Sequence, residues 1–574
     1  MGSSQEDYGL PDFNRRFIED KELEQFENAL SAPEAAPLVA INDWRPIHQR
    51  VRKLGSRRKA ANRTVDETRE GYLQWKEAAE KLDAYLGNDR WKEVDEYAYY
   101  DHGTVKRVKR QLETLREKVE LTQTSEGDRA KLCSLLEDLR VLLEGCVKNN
   151  FAGVENPRLY SETYIGTKRL VQEFIDEVHT SLRLILTSKD VPNTTKEVFF
   201  KQLETNYGRT ALCLSGGATF SYYHFGVVKA LLDNGVLPDI ISGTSGGALV
   251  AALVATRKNE ELKKLLVPEL AHKIKACEDS FQIWIRRWWR TGARFDTLDW
   301  AEKCSWFCRG STTFLEAYQR TGRILNVSCV PSDPHSPTIL ANYLTSPHCV
   351  IWSAVIASAA VPGILNPVVL MMKKPDGTLA PYSFGHKWKD GSLRTDIPLK
   401  ALDIHFNANF PIVSQVLRHL ELLPRPLGQD WSEIWLQRFS GIVTIWPKST
   451  LSDLYNILTD PNPERLSRMI NEGQNSTFPK IQFIKNRMKL EKVVAAALKR
   501  DGRVSARQLN TPLPPEIDPS ANDGLDNRPH LRHRNSVLEE IRRQSAVFFD
   551  DVDETGLSED EQLLSTRERP TRVG

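Results

Sequence analysis

The sequence predicts an α/β protein: a parallel-sheet core covered by helices, preceded by a helical domain and followed by a disordered tail. Three observations carry this. In mid-chain, "RTALCLSGG" leads into "YYHFGVVKALLDNG", and "PDIISGT" leads into "GGALVAALVATRK". Each pair reads as a buried strand, a glycine turn and a helix, which is the pattern of a parallel sheet. Upstream, apolar residues recur at helical spacing from about residue 72 to 190. Beyond residue 501 the chain is rich in Pro, Asp and Asn and loses all periodicity.

In chain order, residues 1–40 are polar and acidic and read as a loose leader. Residues 41–200 read as a helical accessory domain. It opens on a basic run, Arg45, Arg50, Arg52, Lys53, Arg57, Arg58, Lys59 and Arg63, expected to be a solvated face in preference to one set against anionic lipid headgroups. In "YLQWKEAAEKLDAYLGN", Trp75, Ala79, Leu82 and Leu86 share a helix face, and Gly87-Asn88 supplies the stop. Val108, Leu112, Leu115 and Val119 mark a second helix, and Leu132, Leu135, Leu136, Leu139 and Leu143 a third. "TKRLVQEFIDEVHTSLRLIL" adds another. Residues 201–405 hold the α/β units, 406–500 a helical C-terminal extension, and 501–574 the tail. Within the tail "RRQS", Arg542 to Ser545, resembles a site for a basophilic kinase.

At 574 residues the chain exceeds one compact core, and 27% charged residues fit no polytopic membrane protein. A net charge of +2 singles out no partner class, and no nucleic-acid partner is expected. The eight cysteines are scattered without the paired spacings of a zinc site, so reduced thiols and no metal are expected; Cys304 and Cys308 read as buried thiols on one helix face. No apolar signal region opens the chain, which points to a cytosol-facing protein. Ile351 to Met372 is uncharged and long enough to span a bilayer, but Pro362, Gly363, Asn366 and Pro367 interrupt it. A buried helix ending near Ala360 and a strand from about Pro367 account for it better.

Chemistry concentrates at the two glycine turns. Gly243-Thr244-Ser245-Gly246-Gly247 matches G-x-S-x-G, the nucleophile elbow, in which Gly243 and Gly247 remove side chains that would clash with a sharp strand-to-helix turn. The following helix would direct its N-terminal dipole and free N–H groups at the nucleophile. After the first strand, Gly216, Gly217 and Ala218 can direct backbone N–H groups to a point beside Ser245. A nucleotide loop fits poorly, because neither G-x-G-x-x-G nor a P-loop lysine is present. "HKWKDGSLRTDIP" offers Asp390 as a base ahead of a glycine turn. A conventional Ser-Asp-His order would need His405 or His419, of which "LDIHFN" reads as strand and "LRHLELL" as helix; His224 and His386 stand in the wrong order and read as structural.

"SGGATFSYYHFGVVKAL", "GTSGG", "ASAAVPGILNPV" and "KDGSLRTDIP", in that order, resemble the patatin-like lipid acyl hydrolases. "YLQWKEAAEKLDAYLGNDRWK" resembles the helical domain of that family's fungal and plant triacylglycerol-lipase branch. The likeness covers roughly residues 65–500. It implies a patatin-like sheet and a Ser-Asp dyad without histidine: Ser245 as nucleophile, Asp390 as base, and N–H donors at Gly216, Gly217 and Ala218. It also implies hydrolysis of fatty-acyl esters of triacylglycerol or phospholipid through an acyl-enzyme, with no cofactor, on a lipid droplet or intracellular membrane. Aspartate ordinarily ionises near about 3.9, so a desolvated site is expected to strengthen it as a base.

This chain departs from the family pattern at Ala218 and Ser221, where glycines are usual, and at Ser392, where Gly or Ala follows Asp-Gly. Related fungal chains also carry more sequence where Val416 here runs straight into Leu417. A catalytically impaired lipid-binding protein therefore stands beside the hydrolase as an alternative, together with a histidine-triad esterase. "FQIWIRRWWRTGARF", with Trp284, Trp288 and Trp289 among arginines, reads equally as an interface-binding helix and as a packed helix with snorkelling arginines.

Overall fold

The computed structural model describes residues 18–31, 71–124, 129–275, 277, 279, 281–332, 338–382, 386–391, 397–416 and 441–500. The basic run at 45–63, Ser392, Leu417, His419, "RRQS" and the tail lie outside them. The strands, in chain order, are β1 (Thr210–Leu214), β2 (Ile240–Gly243), β3 (Ile324–Pro331), β4 (Ile339–Ala341), β5 (Val368–Val369), β6 (Met371–Lys373), β7 (Leu379–Pro381), β8 (Lys387–Asp390), β9 (Phe410–Ser414) and β10 (Val443–Ile445). The main sheet runs β10-β9-β1-β2-β3-β8-β5 with β4 also on β3, and β6 and β7 form a separate hairpin. From β10 to β3 the neighbours are parallel; β4 and β8 run antiparallel to β3, and β5 antiparallel to β8.

Every residue of β1 is buried, as befits a central strand covered on both faces. Its side chains alternate between two cores. Leu212 and Leu214 join the main one, while Ala211 and Cys213 meet Ala401, Leu402 and Phe406 on the opposite face.

Register on β3 decides where the chemistry falls. Val327 faces Gly243 of β2 and Ala341 of β4; Cys329 faces Asp390 of β8 and Ile339 of β4. A strand residue has one neighbour on each side, so β4 holds one edge and β2 and β8 share the other. β2 runs up that edge to Gly243, β8 runs down it to Asp390, and their ends meet two β3 residues apart, about 7 Å along the strand.

The expected helices upstream are present: Tyr72–Leu86, His102–Thr124, Arg129–Cys146 and Arg169–Thr187, with Asn193–Tyr207 completing the layer. Gly87 ends the first in the left-handed conformation, φ 72°. On that helix, however, Leu86 is exposed and Asp83 is buried beside Trp75 and Ala79. The helix Ile481–Arg500 binds this layer to the sheet: Phe483 stacks on Tyr160 at 4.1 Å, and buried Arg487 pairs with Glu155 at 2.6 Å and donates to the Tyr207 carbonyl.

Other sequence expectations are corrected. The leader contains a helix, Asp20–Ser31, whose Phe26 is buried edge-on against Trp352 at 4.9 Å; two apolar contacts, Ile18 and Phe26, anchor it, too few to register as periodicity. Residues 406–500 are not purely helical, since β9 and β10 extend the sheet beyond β1. "LDIHF" is helix, within Leu399–Phe406, because a short apolar run does not distinguish strand from helix. Ile351–Ser358 is a buried helix followed by a turn and β5 and β6, and no described helix is long and apolar enough to cross a membrane.

Candidate active site

Between β2 and the helix Gly246–Ala255, Ser245 adopts φ 53° and ψ −126°. A positive φ in a residue with a side chain is strained and persists only where surroundings enforce it. Close backbone approach enforces it here. A Cβ on Gly247 would lie 2.4 Å from the Leu214 carbonyl oxygen and 2.5 Å from that of Ser215; one on Gly243 would lie 2.5 Å from the Gly247 carbonyl oxygen. The end of β1 therefore presses directly on the elbow, and only glycine fits between them. Ser245 N–H donates to Ser358 Oγ at 2.9 Å.

Ser358 ends the helix Ile351–Ser358, and two residues on the Ala360 carbonyl accepts from Asp390 N–H at 3.2 Å. One short segment, 358–360, thus bonds to both the elbow and β8. Nothing in "ASAAVPG" marks Ser358 for this part, because a serine acting on backbone 113 residues away leaves no local signal. Asp390 is fully buried. Gly391 follows where a Cβ would sit 2.4 Å from the Ser328 carbonyl oxygen, so the turn after the aspartate also requires glycine.

The loop after β1 lies beside the elbow. Gly217 has φ 148° and Ala218 φ 49°, the latter in a conformation that glycine would take without strain. Ala218 lines the cavity that Ser245 enters, and the N–H groups of Gly217 and Ala218 make no hydrogen bond among the described residues. The buried Ser221 hydroxyl has no partner among the described residues and stands where a Gly246 side chain would collide, 2.5 Å away.

His224 is a bracing group. Nε2 meets the Ser215 carbonyl at 3.0 Å and Nδ1 meets Ser414 Oγ at 2.8 Å. A carbonyl only accepts, so Nε2 carries the proton and Nδ1 receives the serine hydroxyl. Full burial pushes the imidazole down to about 4, leaving it neutral. Ser215 N–H also donates to the Ser414 carbonyl at 3.1 Å, and Val416 N–H to Ser215 Oγ at 3.3 Å. The turn preceding Gly216 is therefore clamped to the end of β9. His405 sits on the helix covering the opposite face of the sheet.

The cavity above Ser245 is about 90 Å³ and mostly apolar, walled by Tyr222, Leu249, Phe295, Trp300, Phe307, Val355, Val361, Ile364, Ile457 and Leu458, with Lys273, Lys275 and Lys303 among its lining. Cys304 lines it as a free buried thiol, pushed up to about 12 by burial. Among the described residues no group of His, Cys, Asp and Glu could hold a metal.

Ser245 at a strained strand-to-helix turn, a glycine loop beside it and buried Asp390 at the end of β8 thus stand on a mostly parallel α/β sheet. Residues 212–403 match the family Patatin-like phospholipase, and residues 43–205 match Domain of unknown function (DUF3336). A patatin-like phospholipase domain-containing protein of Coccidioides immitis is 57% identical, with 97% of this chain and 95% of that one covered. Another, of Aspergillus fumigatus, is 55% identical over 97% and 98%. The chain belongs to the patatin-like phospholipase family, which supports lipid acyl hydrolase activity. Among solved structures, the type III effector ExoU is similar at 14% identity over 52% of this chain and 64% of that one, with a TM-score of 0.25.

Proposed function

We propose that this protein is a serine lipid acyl hydrolase that cleaves fatty-acyl esters, of triacylglycerol or phospholipid, through an acyl-enzyme on a Ser245–Asp390 dyad. The observation that supports the reading is the shared edge of β3, along which β2 ends at Gly243, two residues before Ser245, and β8 ends at Asp390. Asp390 takes the hydroxyl proton as Ser245 Oγ bonds to the acyl carbon. The oxyanion rests on N–H groups of Gly216, Gly217 and Ala218. As the ester C–O bond breaks, Asp390 returns the proton to the departing alcohol, and water then repeats the sequence to release the fatty acid. The apolar cavity suits an acyl chain. The enzyme would work peripherally, on the cytosolic face of a lipid droplet or membrane.

Fatty-acid release by Ser245→Ala, by Asp390→Asn and by the double variant tests the dyad. Each single change is expected to remove at least about a thousandfold of the rate, and the double to be little worse, because the two act as one device. Losses that multiply in the double variant would contradict it.

A second reading, an impaired lipid-binding form, has one observation in its favour. The match to the Coccidioides protein runs 702 positions against 574 residues here, so that relative carries a substantial stretch with no counterpart in this chain. Ser414 and Val416, which brace the loop before Gly216, precede the Val416–Leu417 junction. Turnover by the unmutated chain decides between the readings.

A further inference from the structure

The helix Phe281–Thr291, FQIWIRRWWRT, holds three arginines and no acidic residue. Its inner side is tied down. Arg287 pairs with Asp279 at 2.5 Å and donates to the Arg294 carbonyl, and the Arg294 guanidinium lies over Trp284 at 5.0 Å. Its outer side is not covered by any of the described residues. Trp289 is 79% exposed, Ile283 53% and Trp288 44%, with Arg286 and Arg290 exposed beside them and in no ion pair among the described residues.

The segments flanking this helix on both sides are bonded into the wall of the Ser245 cavity. On the entry side Cys277, a cavity residue, donates its N–H to Asp460 at 2.7 Å. On the exit side Arg294 and Phe295 donate backbone N–H groups to Gly363 and Ile364, and the Arg294 side chain reaches the Leu458 carbonyl at 3.3 Å. Phe295, Ile364 and Leu458 all line the cavity. The short helix Leu451–Tyr455 ends just ahead of Leu458, and its Tyr455 is 91% exposed. Large aromatics thus stand in solvent on the segments that wall the opening.

We infer that this helix is the docking element that seats the cavity mouth on an anionic phospholipid surface. The outer face, Ile283, Arg286, Trp289 and Arg290, interleaves aromatic and cationic groups. That suits the headgroup level of a membrane, where indole rings are half-immersed and guanidinium groups meet phosphate. A partner helix would instead need an unbroken apolar stripe, which Arg286 and Arg290 interrupt. Charge complementarity selects an anionic surface over a neutral one. The inference gives the proposed hydrolase its route to substrate, but docking is measured separately from turnover.

The test uses the full chain carrying Ser245→Ala, sedimented with phosphatidylcholine vesicles with and without phosphatidylserine. Binding is expected to require phosphatidylserine and to weaken with salt. Arg286→Gln with Arg290→Gln should weaken it by roughly 25-fold, about fivefold per arginine, and Trp288→Ala with Trp289→Ala by at least about tenfold. In the Ser245 background both pairs should keep turnover of a water-soluble butyrate ester within about twofold and melt unchanged. Undiminished vesicle binding by the tryptophan pair, or equal binding to pure phosphatidylcholine, would overturn the inference. So would a dimer in gel filtration that the tryptophan pair dissolves, since a second copy would then cover this face. If the unmutated chain turned over no ester, the hydrolase reading would fail while the sedimentation result still decided docking.

Discussion

The elbow at Ser245 and the joint at Asp83 both pin distant chain segments together, by opposite physical means. At the elbow side chains are absent: Gly243 and Gly247 let the backbones of β1, β2 and the following helix touch. At Asp83, in the accessory layer, a buried carboxylate collects donors instead, from Asn88 Nδ2 at 2.9 Å, Lys92 Nζ at 3.1 Å, and the N–H groups of Tyr164 at 2.9 Å and Ile165 at 3.1 Å. The elbow fails when an atom is added, and the joint when one is removed. In the proposed mechanism the elbow sets geometry at the reacting group, whereas the joint holds its own layer together.

Three substitutions sharpen that contrast, from the largest effect to the smallest. Asp83→Ala leaves Lys92 with Asp89 alone and takes the acceptor from the Tyr164 and Ile165 N–H groups, so it is expected to cost about 2–6 kcal/mol, at about 1–3 kcal/mol for each buried group left unsatisfied. Chemical denaturation should register the loss while turnover of a soluble ester per folded molecule stays unchanged; a selective loss of turnover would place the accessory layer in the chemistry. Gly247→Ala drives a methyl group into the Leu214 and Ser215 carbonyls. It should cost about 1–3 kcal/mol by overpacking and, unlike the first, lower turnover about a hundredfold through misplacement of the nucleophile. His224→Gln removes the brace behind Gly216, at about 1–2 kcal/mol, with turnover kept within about tenfold.

His224 also gives a pH signature. Its folded value, about 4, lies below the ordinary 6.5, so the unfolded chain binds the extra proton first as pH falls. Stability from this group is complete above about 6.5 and declines toward about 4, where the folded protein also protonates. Denaturation midpoints of the unmutated chain and of His224→Gln should converge as pH drops across that window. Parallel pH profiles would show that the imidazole is not held neutral.

What the sequence made legible follows the same division. Glycine-rich turns after short buried strands announced both βαβ units and the elbow, because close backbone approach admits a single residue type. Asp83 was invisible, an acidic residue among several on a helix whose donors arrive from about eighty residues away. Ser358 was hidden for the same reason. β9 and β10 went unread because five and three residues carry too little alternation to separate strand from helix, and the Asp20–Ser31 helix because its buried face is so small.

The central claim is that the two ends meeting on β3 form one catalytic device. Labelling with a fluorophosphonate, followed by peptide mass mapping, tests it most directly. A single modified residue, Ser245, is expected in the unmutated chain, with labelling slowed at least about a hundredfold in Asp390→Asn, the scale of losing a general base, and unchanged in a folded His405→Gln. Modification at another serine, or labelling of Ser245 as fast in Asp390→Asn as in the unmutated chain, would contradict it.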